Sequence, residues 1–546
     1  MRLLLVCALA TLTALGLAAF RPAVVTPLER AAAQSIRAEQ LRADVRFLVS
    51  DLLDGRGPGS RGDRLAQAFI AARMEGIGLE PGAPDGSWFQ PFDIVGVSSR
   101  PAGRILLARG AVKEELWPLE DVVAAAGVPS PEARIEGAEI VFGGYGIVAP
   151  EFGGDDDKGA DLRGKVLLMM NREPESGPSS FAGGGRHQCG RGDEKYDLAA
   201  KMGAAGAILI HTARSAGCPW SLVESSWGGE QFSLPSEGGP QLRVKAWITE
   251  EAARRIARLS GQDLDTLRRG AERRDFRPLP LGVALTLALR SEVRRGQTAN
   301  VIGRLPGSDL GLSREGVVYT AHHDHLGAKP GPDASASAAC DHASGVAVLL
   351  AIAEAMKALP QTPPRTTFFA AVGGEEWGRL GSRYLAGRPP LPAGRLAADI
   401  NVEGIAIGGR TRDVTQIDRG QSSLDDWVEA LAAVQDRHVV SPPSPDACSL
   451  PDPFSFARIR VPVASLGSGT EAIGQPAGGG QKPDETGKAE ASRRLAEDGD
   501  FAGAVEDAQL LFYLGVKVGS ATPRPTWRGS DEFKATREAR AEPGIR

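Results

Sequence analysis

Histidine is scarce in this chain. There are seven in 546 residues, and none lies beyond His438, so no imidazole ligand comes from the C-terminal part. Basic runs are missing too: 63 Lys and Arg stand against 68 Asp and Glu, a formal net charge of −5. That balance gives no electrostatic footprint for nucleic acid. After the first twenty residues no stretch is apolar enough to span a bilayer, which excludes a multi-span membrane protein. No internal repeat is present, which excludes a solenoid or propeller. Aromatics are only 5% of the chain, while Gly (68) and Pro (38) are plentiful, so many loops are expected between short elements.

What is there is a chain of ordinary globular composition, 42% hydrophobic and 24% charged, long enough for two or three domains. Its start, MRLLLVCALATLTALGLAAF, has a positive Arg2, an apolar run from Leu3 to Leu17 and small residues at Ala18 and Ala19. That is the form of a secretory signal over residues 1–20, with an uncleaved anchor as the other reading. Export to the periplasm or the extracellular space is expected, with no stable membrane insertion after cleavage. Beyond the signal, Cys189, Cys218, Cys340 and Cys448 permit three disulfide pairings.

Helical spacing over Ile36–Leu53 and again at Leu65, Phe69 and Ala72 predicts two helices separated by the loop GRGPGSRG. Loops and edge strands are expected from Pro81 to Pro131, since Pro91 disfavours a central strand. From Ile135 the texture becomes strand, helix, strand: AEIVFGGYGIVAP, GKVLLMMN and KYDLAAKMGAAGAILIH. This predicts a smaller α/β module over 131–282. Its helix EEAARRIARL is capped by Thr249, and Val283, Leu285, Leu287 and Leu289 alternate as a half-buried strand. From Gly316 the strand–loop–helix–strand rhythm predicts an α/β fold, with a mostly parallel central sheet and helices on both faces. The expected organisation is therefore 34–130 as the first part of a main domain, 131–282 as an insertion, 283–518 as the catalytic part and 519–546 as a polar tail.

The chemistry concentrates between Val317 and Glu403. VVYTAHHDHLG, CDHASG, TTFFAAVGGEEWG and ADINVEG place His322, Asp324, Asp341, Glu375, Glu376 and Glu403 at strand ends or a helix start. Ligands of open α/β sheets bind beyond the carboxyl ends of the strands. Each residue has an ordinary reading on its own: a surface loop for the His-x-Asp-His run, a solvated helix start for Glu-Glu, an N-cap for Asp341. Four segments delivering imidazole and carboxylate to one end of a sheet favour a hydrolytic zinc site. Asp324 is placed to hold the second ring nitrogen of His322. On a sharp loop, one of Glu375 and Glu376 takes the metal while the other faces water; Glu375 is the candidate general base.

These motifs, in this order, resemble the co-catalytic zinc aminopeptidase family that includes glutamate carboxypeptidase and the glutaminyl cyclases. Residues 135–227 resemble the protease-associated domain inserted in many members, and the GRGPGSRG region resembles the start of exported bacterial peptidases. The resemblance implies two zinc ions, a peptide substrate and an aminopeptidase activity. It matches His322 to a ligand of one zinc, Glu376 to a ligand of the other, Asp341 to the bridging carboxylate and Glu375 to the base. Glu403 stands where the family has Asp, His342 where it commonly has Asn, and Pro453 where His is usual. In GGGQKPDETG, Gln481 occupies the position of the last His ligand, and an amide oxygen is a poorer zinc ligand than imidazole. Three outcomes follow. One zinc is held through His322, Asp341 and Glu403 with the second weak or absent; or His323, His325 or His342 replaces the missing ligand; or the protein binds peptides without cleaving them.

Overall fold

The computed structural model describes residues 24–149, 154–156, 159–172, 192–212, 219–235, 238–327, 339–402, 404, 407–441, 452–474 and 496–528. Residues 1–23, Glu403, Gln481 and the end of the chain lie outside these residues, as do the side chains of Asp341, His342 and the cysteines.

The main sheet is built on four parallel strands. Thr366–Val372 pairs with Gly316–His322, which pairs with Leu396–Val402, which pairs with Val463–Ser468. An antiparallel strand flanks each side: Val301–Leu305 beside Thr366–Val372, and Asp413–Gln416 beside Val463–Ser468. The three strands Gly316–His322, Thr366–Val372 and Leu396–Val402 are buried at every position. Continuous apolar runs suit strands covered on both faces. One face is covered by helices Ala38–Leu48, Arg61–Ile77, Ala339–Lys357, Leu424–Val434 and Ala502–Ser520, and the other by Leu380–Gly387 and Pro453–Arg458. The mixed α/β class with a mostly parallel sheet is as the sequence pattern predicts.

Helix Ala339–Lys357 begins earlier than expected, so Asp341 sits in its first turn and not at its cap. It is also more central than a single stripe implies. Val346, Leu349, Leu350, Ala353 and Met356 are buried, but so are Ala347, Val348, Ala351 and Ile352. An apolar helix of this kind has neighbours all round.

The second unit is a sheet in which Glu132–Phe142, Val166–Met170, Gly206–His211 and Val244–Thr249 run parallel, extended antiparallel by Val122–Ala126. It has apolar cores on its two faces. Thr249 caps Glu250–Leu259 by accepting from the amide of Ala252, as its sequence predicts. Ile105, Leu107, Leu116 and Val122 join one of these cores, as do Val283, Leu285, Leu287 and Leu289. One physical link is the long strand Leu279–Leu305. Its first half pairs with Glu132–Phe142 of the second unit, and its end pairs with Thr366–Val372 of the main sheet.

The region expected to be loops and edge strands contains a thirteen-residue strand, Phe89–Pro101. It pairs along its whole length with Val301–Leu289, and Val95–Ser98 are also paired on the other side by Glu230–Ser233. Pro91 is tolerated because it lies outside the stretch flanked on both sides. In the described part of the tail, Trp527 is buried and donates from its Nε1 to the Arg460 carbonyl.

Candidate active site

The parallel strands end where the candidate residues gather. Gly316–His322 finishes with His322 itself, and the chain turns so that the His323 amide donates to the Val372 carbonyl at 2.9 Å. Asp324 is fully buried, with its Oδ1 3.5 Å from His322 Nδ1. The same oxygen accepts from the amide of Glu375 at 3.0 Å. One carboxylate therefore orients the imidazole and fixes the start of the Glu-Glu loop, a wider role than the sequence predicts for it.

That loop follows Thr366–Val372 through Gly373 and Gly374. Gly374 has φ +73°, and a Cβ there would lie 3.1 Å from the Leu380 Cβ, so the turn needs glycine. The amides of Gly378 and Arg379 return to the Glu375 carbonyl at 2.9 and 2.8 Å. Asn300, on the long strand, accepts from the Gly373 amide and donates to the Gly381 carbonyl, which pins both ends of the loop. Glu375 is buried within it. Glu376 Oε1 lies 3.0 Å from His325 Nδ1, so the ring of His325 orients the second glutamate. His322, Asp324, Glu375 and Glu376 are thus brought together, whereas Glu403, Gln481 and the Asp341 side chain lie outside the described residues.

His323 is engaged through one ring nitrogen by the N-terminal part of the chain. Its Nε2 lies 3.0 Å from Asp63 Oδ1, and both side chains are fully buried. Asp63 also accepts from the Gly59 amide, from Gln67 Nε2 and from Thr298 Oγ1. Arg56, in the GRGPGSRG loop, donates from Nε to the His323 carbonyl at 2.8 Å. This brace under the metal-side loop has no local signature, since its partners lie more than 200 positions apart in the chain.

A second residue the motifs leave out is Asp452, just before helix Pro453–Arg458. Burial pushes its carboxyl up to about 6, against the opposing charge of His322. For His322, burial acts downward, but the contact with Asp324 and the charges of Glu375 and Asp452 outweigh it and hold the imidazole well above its ordinary value. Asp324 Oδ2 and Asp452 Oδ1 are buried without a hydrogen-bond partner among the described residues. Several acids around one imidazole, with orphaned carboxylate oxygens, form surroundings that suit a cation. The residues described therefore suit one side of a zinc site. They do not complete its shell: among the described residues, no three His, Cys, Asp or Glu side chains gather closely enough to hold a metal.

Residues 300–492 match the model of peptidase family M28. No curated protein matches the chain. The structure is similar to an aminopeptidase from Aneurinibacillus sp. strain AM-1, at 18% identity and TM-score 0.51, covering 90% of this chain and 95% of that one. At that identity the likeness shows the fold. BSAP, a zinc aminopeptidase from Bacillus subtilis, aligns at 15% identity and TM-score 0.43, over 88% of this chain and 94% of its own. A peptidase M28 precursor from Shewanella amazonensis SB2B aligns at 18% identity and TM-score 0.43, over 92% and 97%. The match to peptidase family M28 over residues 300–492 supports reading the chain as a hydrolytic metallopeptidase.

Proposed function

We propose that this protein is an exported zinc aminopeptidase that removes N-terminal residues from peptides, with Glu375 as general base. The observation that carries the reading is the meeting of His322, Asp324 and Glu375 at the carboxyl ends of two adjacent parallel strands, joined by the 3.0 Å bond from the Glu375 amide to Asp324. His322 and Glu376, with Asp341 and Glu403 from the sequence motifs, are the residues that would hold zinc. When bound there, zinc supplies Lewis acidity for polarising a peptide carbonyl and its attacking water.

The chain's own residues do the rest. Glu375 stands in a buried loop closed by Asn300, where its carboxylate takes the proton of the water and returns it to the leaving amine. Asp324 keeps the His322 ring oriented, and His325 keeps one oxygen of Glu376 engaged. Residues 135–227 resemble a protease-associated domain, and the first twenty residues resemble an export signal. No helix among the described residues is long and apolar enough to cross a membrane.

Metal analysis of the purified protein, together with hydrolysis of aminoacyl-nitroanilides, tests the proposal. At least one zinc per chain with measurable release of nitroaniline is expected; less than one, with no release, overturns it. A second reading, a peptide-binding protein without catalysis, is favoured by Gln481 standing where the family has its last His. Gln481→His separates the two. A large gain in activity marks a weakened site, and unchanged activity shows that another ligand already serves.

A further inference from the structure

The residue after Glu376 is Trp377, and its partner does not come from the main domain. The ring of Phe232 meets it edge-on, with centroids 5.2 Å apart and planes at 69°. Phe232 belongs to the short strand Glu230–Ser233 of the inserted unit, which lies beside Val95–Ser98 of the long N-terminal strand. Together with Leu234 and Tyr384, the two rings pack on Phe92, Ile94 and Leu380, a small apolar cluster separate from the larger cores.

The strand carrying Phe232 is held in place by its own contacts. Arg294, on the long linking strand, grips both oxygens of Glu230 at 3.0 Å and lies over the Phe232 ring at 5.2 Å. Close approach is also required: a Cβ on Gly96 would fall 2.0 Å from Glu230 Oε1 and 2.9 Å from the Phe232 ring. On the other side of the contact, Leu380 is the side chain that packs against Gly374 in the Glu-Glu turn. The cluster thus runs without a break from the inserted unit to the backbone that presents Glu375 and Glu376.

We propose that the inserted unit sets the position of the Glu375–Glu376 loop through the contact of Phe232 with Trp377, making both positioning residues for the metal-side glutamates. This rests on the peptidase reading for its consequence in turnover, but not for the coupling itself. Asn300 and Asp324 fix the ends of the loop from within the main domain, while its crown, Glu376–Trp377, is supported by the inserted unit. Loosening the inserted strand therefore loosens the crown and leaves the ends in place.

The test compares Phe232→Ala with Phe232→Leu, Arg294→Gln and the control Ile210→Ala, which lies in the inserted unit's own core away from the contact. Amide hydrogen exchange over residues 374–381 is read first, then zinc affinity by competition with a chelator, then kcat and KM separately. In Phe232→Ala, exchange over 374–381 rises about 3- to 10-fold, the scale of one lost aromatic pair. Zinc binding weakens and kcat falls more than KM rises. Phe232→Leu restores most of each, Arg294→Gln shifts them in the same direction, and Ile210→Ala lowers the melting temperature without moving them. Exchange over 374–381 unchanged in both Phe232→Ala and Arg294→Gln overturns the proposal. If the parent protein binds no zinc and cleaves nothing, the peptidase reading fails, and the exchange result still decides the coupling.

Discussion

The two flanks of the site are held by different physics. On the N-terminal side, the loop carrying His322 and Asp324 rests on a buried polar brace in which Asp63 accepts from four groups and Arg56 reaches the His323 carbonyl. On the other side, the loop carrying Glu376 and Trp377 leans on apolar and aromatic faces, chiefly Phe232 and Leu380. Polar braces are directional and fail abruptly when one partner is removed, because a buried group is left unpaired. Apolar contacts lose energy in proportion to the atoms removed and keep their geometry longer. The loop of His322 and Asp324 thus rests on directional polar bonds, whereas the crown of the glutamate loop also leans on apolar contact.

That contrast is broken or sharpened by four substitutions. Largest is Glu375→Gln, which removes the proposed base and keeps the loop's backbone bonds. Peptide hydrolysis falls by about 10²–10⁴-fold while the melting temperature holds; retained activity would assign the base elsewhere. Next is Asp63→Ala, which strands buried partners at His323, Gln67 and Thr298 and costs about 3–5 kcal/mol in denaturant unfolding. Its folded fraction also turns over more slowly, since His322 is next to the unsupported His323. Equal turnover would show that the brace serves stability alone.

Ile210→Ala, in the apolar core of the inserted unit, costs about 2–4 kcal/mol by leaving a cavity, with turnover per folded molecule unchanged. A matching loss of turnover would erase the distinction between flanks. The smallest effect is electrostatic. Burial, with the charge of Asp425, pushes the Asp418 carboxyl up to about 7, although the Ser465 amide pulls the other way. Between 3.8 and about 7 the group is protonated when folded and ionised when unfolded, so the stability it contributes is lost as pH rises through that window. Asp418→Asn does not titrate, and its melting temperature gains on the parent by a few degrees from pH 4 to pH 8. A constant difference across that range would place the carboxyl's titration elsewhere.

Much of the main domain is legible in the sequence because its signals are local. Thr366–Val372 is a strand with the bounds its β-branched and aromatic run predicts, and Thr249 caps the helix it precedes. The grouping of His322, Asp324, Glu375 and Glu376 is legible for the same reason: each follows an apolar strand in a sheet whose carboxyl ends share one side. The strand Phe89–Pro101 is not, because its pairing with residues 289–301 is a long-range event and Pro91 reads as a breaker. Nor is the early start of helix Ala339–Lys357, whose stripe looks one-sided until neighbours from four other helices surround it.

By itself, then, the sequence determined the α/β class, the strand-end residues and the order of the motifs, since hydrophobic period and strand boundaries are written in neighbouring residues. Only the tertiary structure decided that Asp63 engages the Nε2 of His323, that Asp452 joins the acids around His322, and that Phe232 touches Trp377. Each of these joins segments far apart in the chain, and burial and pairing of that kind exist only once the chain has folded.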